Sequence, residues 1–259
     1  MQQDIILETR GLGKEFRGFA AVSDVNLKVA RGSIHALIGP NGAGKTTVFN
    51  LLTKFLPPSS GLVLYDGEDI TQAKPAEVAL KGLIRSFQIS AVFPHMTALD
   101  NVRVALLRKA GGAHRFWTSN RQLDAYSAAA MALLDDVGLT EFAEVLAVEM
   151  PYGRKRALEI ATTLALEPKL MLLDEPTQGM GVEDVDRVTS LIRRVAAGRT
   201  ILMVEHNLKV VSTLADRITV LARGQVLSEG DYATVSKDPK VMEAYLGVSA
   251  DDAAEVAHG

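Results

Sequence analysis

The run Gly39-Pro-Asn-Gly-Ala-Gly-Lys45-Thr46-Thr47 constrains the chain more than any other feature. It matches the phosphate-loop pattern GxxxxGK[ST] without deviation. An apolar run, Ile34–Ile38, precedes it, and an amphipathic stretch from Thr46 to Phe55 follows, so strand, loop and helix are expected in that order. Gly39, Gly42 and Gly44 let the backbone curl until its N–H groups converge on phosphate oxygens. The helix N-terminus adds its positive dipole end at the same place. The candidate cradle is therefore Gly39, Pro40, Asn41, Gly42, Ala43, Gly44, Lys45, Thr46 and Thr47. Lys45 is expected to reach the β- and γ-phosphates, and the Thr46 hydroxyl to ligate Mg2+.

A second half of the site is legible farther on. Lys169-Leu-Met-Leu-Leu-Asp174-Glu175-Pro176 reads as a buried strand ending in adjacent carboxylates. Ligands of parallel sheets bind beyond the carboxyl ends of the strands, where the phosphate loop also lies. Asp174 is placed to hold the metal, directly or through water, and Glu175 to act as general base on the attacking water. Thr200-Ile-Leu-Met-Val-Glu205-His206 repeats the arrangement, and His206 is the candidate sensor of the γ-phosphate. The other four histidines carry no such positional signal.

Composition narrows the class further. The 259 residues suffice for one large α/β domain or a domain with an inserted subdomain. A formal charge of -3 argues against a general nucleic-acid binder, which needs an excess of Lys and Arg. The absence of Cys excludes disulfides, thiolate catalysis and Cys-ligated metals. No stretch approaches the roughly 20 apolar residues that cross a bilayer. The opening MQQDIILETR lacks the basic region of a secretory signal, so membrane association is expected to come through a partner.

Organisation follows from periodicity. Short strands are expected at Ile5–Glu8, Val25–Val29 and Ile34–Ile38, with hairpins at Asp66-Gly67 and Arg223-Gly224. Leu170–Leu173 and Ile201–Val204 have the continuous apolar character of strands buried on both faces. From about residue 95 to 166 the pattern is helical. The expected organisation is one domain over 4–248, with core segments 4–88 and 167–248 and a helical insertion at about 89–166. The small, acidic tail 249–259 is expected to be disordered.

With phosphate loop, LLDEP and VEH in this order, the chain resembles the ATPase subunits of ABC transporters, from Leu7 to about Leu246. The resemblance implies an α/β fold: a P-loop NTPase core of ABC type with an antiparallel β subdomain and an inserted helical subdomain. It implies ATP and Mg2+ as cofactors. Phe16 sits where the family places an aromatic residue against adenine, and Gln88, in Arg85-Ser-Phe-Gln88, matches the glutamine loop that reaches the metal or its water. Pro151-Tyr152-Gly153-Arg154, after Met150, occupies the position of the signature LSGGQ, which caps the partner subunit's ATP. Only Gly153 matches that signature outright; Pro151 lacks the usual hydroxyl, while the helix N-terminus remains and Arg154 adds charge. Gln178-Gly-Met-Gly181 stands in the D-loop position without its usual acid or Asn.

Several phrases look like the branched-chain amino acid importer type, in the longer of its two ATPase subunits: PNGAGKTTVFNLLT, the Arg85-SFQ loop, the Tyr-Gly signature followed by Arg156-ALEIA, and the ending Ala244-Tyr-Leu-Gly247. The implied partners are a second ABC ATPase subunit, as homo- or heterodimer, integral membrane permease subunits and, indirectly, a periplasmic solute-binding protein, with no nucleic acid. The implied location is the cytoplasmic face of the membrane, held through the permease, with Ile89–Val102 as candidate permease contact. Urea, amide and aromatic-acid importers use relatives of this type and stay open as alternatives. So do a non-transport ABC ATPase and a weakly hydrolysing regulator, the latter suggested by Pro151 and Gly181.

Overall fold

The computed structural model describes residues 4–86, 92–109 and 124–246. At its centre is a six-stranded sheet in the order β11-β10-β4-β9-β8-β7. Its strands are β4 (Ile34–Ile38), β7 (Leu83–Ser86), β8 (Leu170–Asp174), β9 (Thr200–Val204), β10 (Arg217–Ala222) and β11 (Gln225–Gly230). Strands β10, β4, β9, β8 and β7 run parallel, and β11 closes one edge antiparallel through the Arg223-Gly224 turn. A second, antiparallel sheet is built from β1 (Ile5–Phe16), β2 (Phe19–Val25), β3 (Lys28–Ala30), β5 (Ser60–Tyr65) and β6 (Glu68–Asp69).

Period-2 alternation in the central strands divides the core into two apolar layers. Leu37, Leu172 and Leu202 face the antiparallel sheet and helix α1 (Lys45–Leu52), whose Phe49 and Leu52 share their cluster. Ala36, Ile38, Met171, Leu173 and Met203 face the other way. There they pack with α3 (Ala98–Lys109), α4 (Ser127–Asp136), α5 (Tyr152–Leu164), α6 (Val182–Val195) and α7 (Leu208–Leu214). Ala98, Val102, Leu134 and Leu158 thus belong to the same apolar cluster as the sheet face. Three short helices, α2 (Pro75–Leu80), α8 (Tyr232–Val235) and α9 (Pro239–Leu246), cover the edges.

The α/β class, the parallel core and both expected hairpins are present. Other expectations need correction. The stretch Val25–Val29 is not one strand: Asp24 adopts a positive φ, and β2 ends at Val25 before β3 begins at Lys28. The helix expected to reach Phe55 stops at Leu52, where Lys54 turns left-handed. Within the helical stretch, residues 140–149 form two single 3-10 turns instead of α-helix. The tail 249–259 lies outside the described residues.

Candidate functional site

The carboxyl ends of three neighbouring strands carry the groups singled out in the sequence. Strand β4 feeds the phosphate loop, β9 beside it ends next to His206, and β8 beside that ends in Asp174 and Glu175. Parallel pairing fixes this convergence, because all three strands point the same way.

The loop itself is held by backbone contacts. Gly39 has φ 150, and a Cβ there would lie 2.1 Å from the Leu221 carbonyl oxygen. Gly44, at φ 100, would press a Cβ to 2.8 Å from the Ala21 carbonyl oxygen. From the β10–β11 turn, the Gly224 amide donates to the Ala43 carbonyl at 3.0 Å. Gly44 caps α1 without any side-chain bond, so the first-turn amides stay open toward the loop. Lys45 is only 8 % exposed, and its ammonium donates to the Gly39 and Pro40 carbonyls at 2.7 and 3.0 Å. Burial pushes its pKa down, against the pull of Glu175 and Asp174. Thr46 is exposed at the start of the helix.

Asp174 is half-buried and paired with the buried guanidinium of Arg85 on β7. Glu175 follows in a left-handed conformation, φ 47, with its amide donating to the Val204 carbonyl at 2.9 Å. A non-glycine residue held there stores strain on the order of 1–3 kcal/mol, which is a common trait of functional turns. The carboxylate of Asp174 and the hydroxyl of Thr46 are hard oxygen donors of the kind that suit Mg2+. Among the described residues no three His, Asp or Glu side chains gather into a metal site, and Mg2+ bound through one carboxylate takes the rest of its shell from water and phosphate oxygens.

His206 is exposed, with Nδ1 4.0 Å from the Glu205 carboxyl. Glu205 is the residue that sequence reasoning missed. It is fully buried, and its two oxygens accept from the amides of Thr177, His206 and Asn207 at 2.9–3.1 Å and from the Thr177 hydroxyl. It ties the turn after Glu175 to the one carrying His206. The available signal was a charged residue ending an otherwise apolar strand.

Phe16 is 43 % exposed at the tip of the β1–β2 hairpin, paired with Phe19 across the Arg17-Gly18 turn. Pro151 caps α5 with no side-chain bond, and its carbonyl accepts from the Arg154 and Lys155 amides, both at 3.0 Å. The Tyr152 hydroxyl accepts from Arg156 at 2.6 Å, and Arg154 lies 3.5 Å over the Phe142 ring. At Gly153 a Cβ would fall 2.7 Å from Asp184 on α6. Gln88 lies outside the described residues.

The sequence model of the ABC transporter family matches residues 22–178, and that of the branched-chain amino acid ATP-binding cassette transporter matches residues 225–251. The high-affinity branched-chain amino acid transport ATP-binding protein BraF of Pseudomonas aeruginosa is 39% identical, over 93% of this chain and 98% of its own length. The corresponding protein LivG of Escherichia coli is 35% identical over 93% and 98%. A crystal structure of an ATP-binding cassette of an ABC transporter in its ADP conformation superposes with a TM-score of 0.82 at 29% identity, covering 94% of this chain and 99% of that one. The chain therefore belongs to the ABC transporter family, among the ATP-binding cassettes that include the branched-chain amino acid transport ATP-binding proteins.

Proposed function

We propose that this chain binds and hydrolyses ATP as the ATPase subunit of an importer for branched-chain amino acids, and powers transport when two such subunits close on ATP. The observation that carries the reading is the meeting of phosphate loop, Asp174-Glu175 and His206 at the ends of three adjacent parallel strands. The solute is taken from the relatives, whose printed names are those of branched-chain amino acid transport proteins.

The open amides of α1 and the loop bind the phosphate oxygens. Lys45 exchanges its two loop carbonyls for the β- and γ-phosphates, an exchange favoured because a buried ammonium gains more from a full negative charge than from a dipole. Phe16 offers its exposed face to adenine. Mg2+, held by Thr46, Asp174 and the glutamine at 88, would supply positive charge to the β- and γ-phosphates. Glu175 accepts a proton from the attacking water, and the strained turn keeps its carboxyl in place. His206, braced through Glu205, contacts the γ-phosphate. Pro151 as N-cap, with Tyr152, Gly153 and Arg154 as the first turn, presents the N-terminus of α5 to ATP on the second subunit.

We assign 4–248 to one ABC domain with a helical insertion at about 89–166, and the segment 89–102 to the permease. The buried Asn101 supports that assignment: its amide bonds the Phe93 amide and the carbonyls of Phe93, Met96 and Thr97, so the turn bearing exposed Phe93 is held stiffly. Among the described residues no helix is long and apolar enough to cross a membrane.

Glu175→Gln tests the reading. Turnover is expected to fall by about 10²–10⁴-fold, with ATP binding intact and a dimer trapped by ATP, visible in size-exclusion chromatography. Undiminished hydrolysis would remove Glu175 as the base.

A further inference from the structure

Four charges meet below the phosphate loop, and they cancel. Asp174 and Glu175 supply two negatives, and Lys45 lies near enough to be influenced by both. The fourth is Arg85, on β7. Its guanidinium pairs with Oδ2 of Asp174 while the side chain is only 4 % exposed. Its Nη1 donates to Asn50 Oδ1 at 2.6 Å, and the Phe49 ring lies 5.4 Å from its centre. Asn50 and Phe49 belong to α1, so one side chain ties strand β7, the β8 carboxylate and the phosphate-loop helix together.

A cation fixed on Asp174 opposes the arrival of another. At an effective dielectric constant of about 20, a unit positive charge still acts strongly on a divalent ion several ångströms away. The guanidinium cannot relieve this by losing its proton. The negative charge of a bound triphosphate can offset it, and it also supplies the ligands that the described residues lack.

We propose that Arg85 is a positioning residue acting through Asp174: it neutralises and orients that carboxylate, and so makes metal entry conditional on the nucleotide. This rests on the ATP-site reading above. The test uses the full chain with Mn2+ as probe, free Mn2+ being read by electron paramagnetic resonance with and without a non-hydrolysable ATP analogue. Nucleotide binding in EDTA is followed in parallel with a fluorescent ATP analogue, and folding by thermal melting.

Wild type is expected to take up Mn2+ only in the presence of nucleotide. Arg85→Met and Arg85→Gln are expected to need about tenfold less Mn2+ for half-saturation of the nucleotide complex, and to begin binding it without nucleotide. Arg85→Lys, which keeps the charge and loses the fork, is expected to stay within about twofold of wild type. Folded neutral variants with an unchanged Mn2+ requirement overturn the proposal, as does Arg85→Lys behaving like them. Should neither neutral variant fold, the wild-type titration decides, because uptake of Mn2+ without nucleotide equally overturns it. Failure of the fluorescent analogue to bind wild type is a different result and removes the ATP-site reading itself.

Discussion

The phosphate loop and the segment Met150–Arg154 both present a helix N-terminus, yet they are built in opposite ways. In the first, the decisive contacts are backbone to backbone: Gly224 bonds Ala43, and Gly39 leaves no room for a Cβ beside Leu221. In the second, the side chains turn back onto their own subunit, Arg154 over Phe142 and Tyr152 against Arg156. Only Gly153 is sterically confined there, by Asp184. Where a backbone must approach another backbone, the residue type is dictated. Where a helix dipole and its first amides do the binding, most side chains are free to differ. On the proposed reading of the two segments, that contrast accounts for a phosphate loop without deviation beside a signature of which one residue matches.

The contrast breaks most visibly if Gly39→Ala is tolerated. Its Cβ would meet a backbone carbonyl that has no rotamer to move away, at a φ that alanine rarely adopts. The expected loss is on the order of 4 kcal/mol in chemical denaturation, together with loss of nucleotide binding in any folded fraction. A variant with normal stability and normal ATP affinity would mean the loop is not held as described.

Beneath that loop, His35 extends the argument to pH. Its Nε2 lies 2.8 Å from the Thr219 hydroxyl, which itself donates to Glu229 at 2.8 Å. The ring must therefore donate from Nε2, leaving Nδ1 bare and buried without a partner among the described residues. Burial pushes its pKa down to about 4; Glu229 opposes this and Arg217 adds to it. The folded state thus favours the neutral ring, and below an unfolded value of about 6.5 only the unfolded chain takes up the proton. Stability is expected to fall by about 3 kcal/mol as pH drops from 6.5 toward 4, and His35→Leu to flatten that part of the denaturation profile. A wild-type profile flat across the window would show that His35 is not buried neutral.

Much of this is legible in the amino-acid sequence. Leu170–Leu173 of β8 and Ile201–Val204 of β9 are continuous apolar runs, and their polar ends announced themselves by breaking the run, while β4 was marked by the phosphate loop that follows it. β7 was not legible: four residues, Leu83–Ser86, give too short a period to tell strand from loop. With it the Arg85–Asp174 pair was hidden, since 89 positions separate the two in sequence. Glu205 was visible as a charge but not as a brace, because its partner Thr177 arrives from the neighbouring strand's turn. The break between β2 and β3 was masked by apolar residues on both sides of Asp24 and Asn26. Local pattern reports burial well, and reports which buried groups meet hardly at all.

The smallest effects are expected in the divergent loop. Pro151→Ser returns a hydroxyl to the cap of α5 and is expected to raise ATPase activity by a few-fold, about 1 kcal/mol in the barrier, if a hydroxyl there bonds the γ-phosphate across the dimer. Arg154→Ala separates the two ways in which that residue can act. If its charge serves the partner's ATP, removal should raise KM and lower kcat. If it acts through Phe142, as its 3.5 Å stacking indicates, turnover should stay within about twofold while stability falls by about 0.5–1 kcal/mol. The second outcome is expected, because a guanidinium held over a ring in its own subunit would have to give up that contact to reach across. Phe142→Leu should then reproduce the stability loss and add little to it in the double variant, a coupling that a purely catalytic Arg154 would not show.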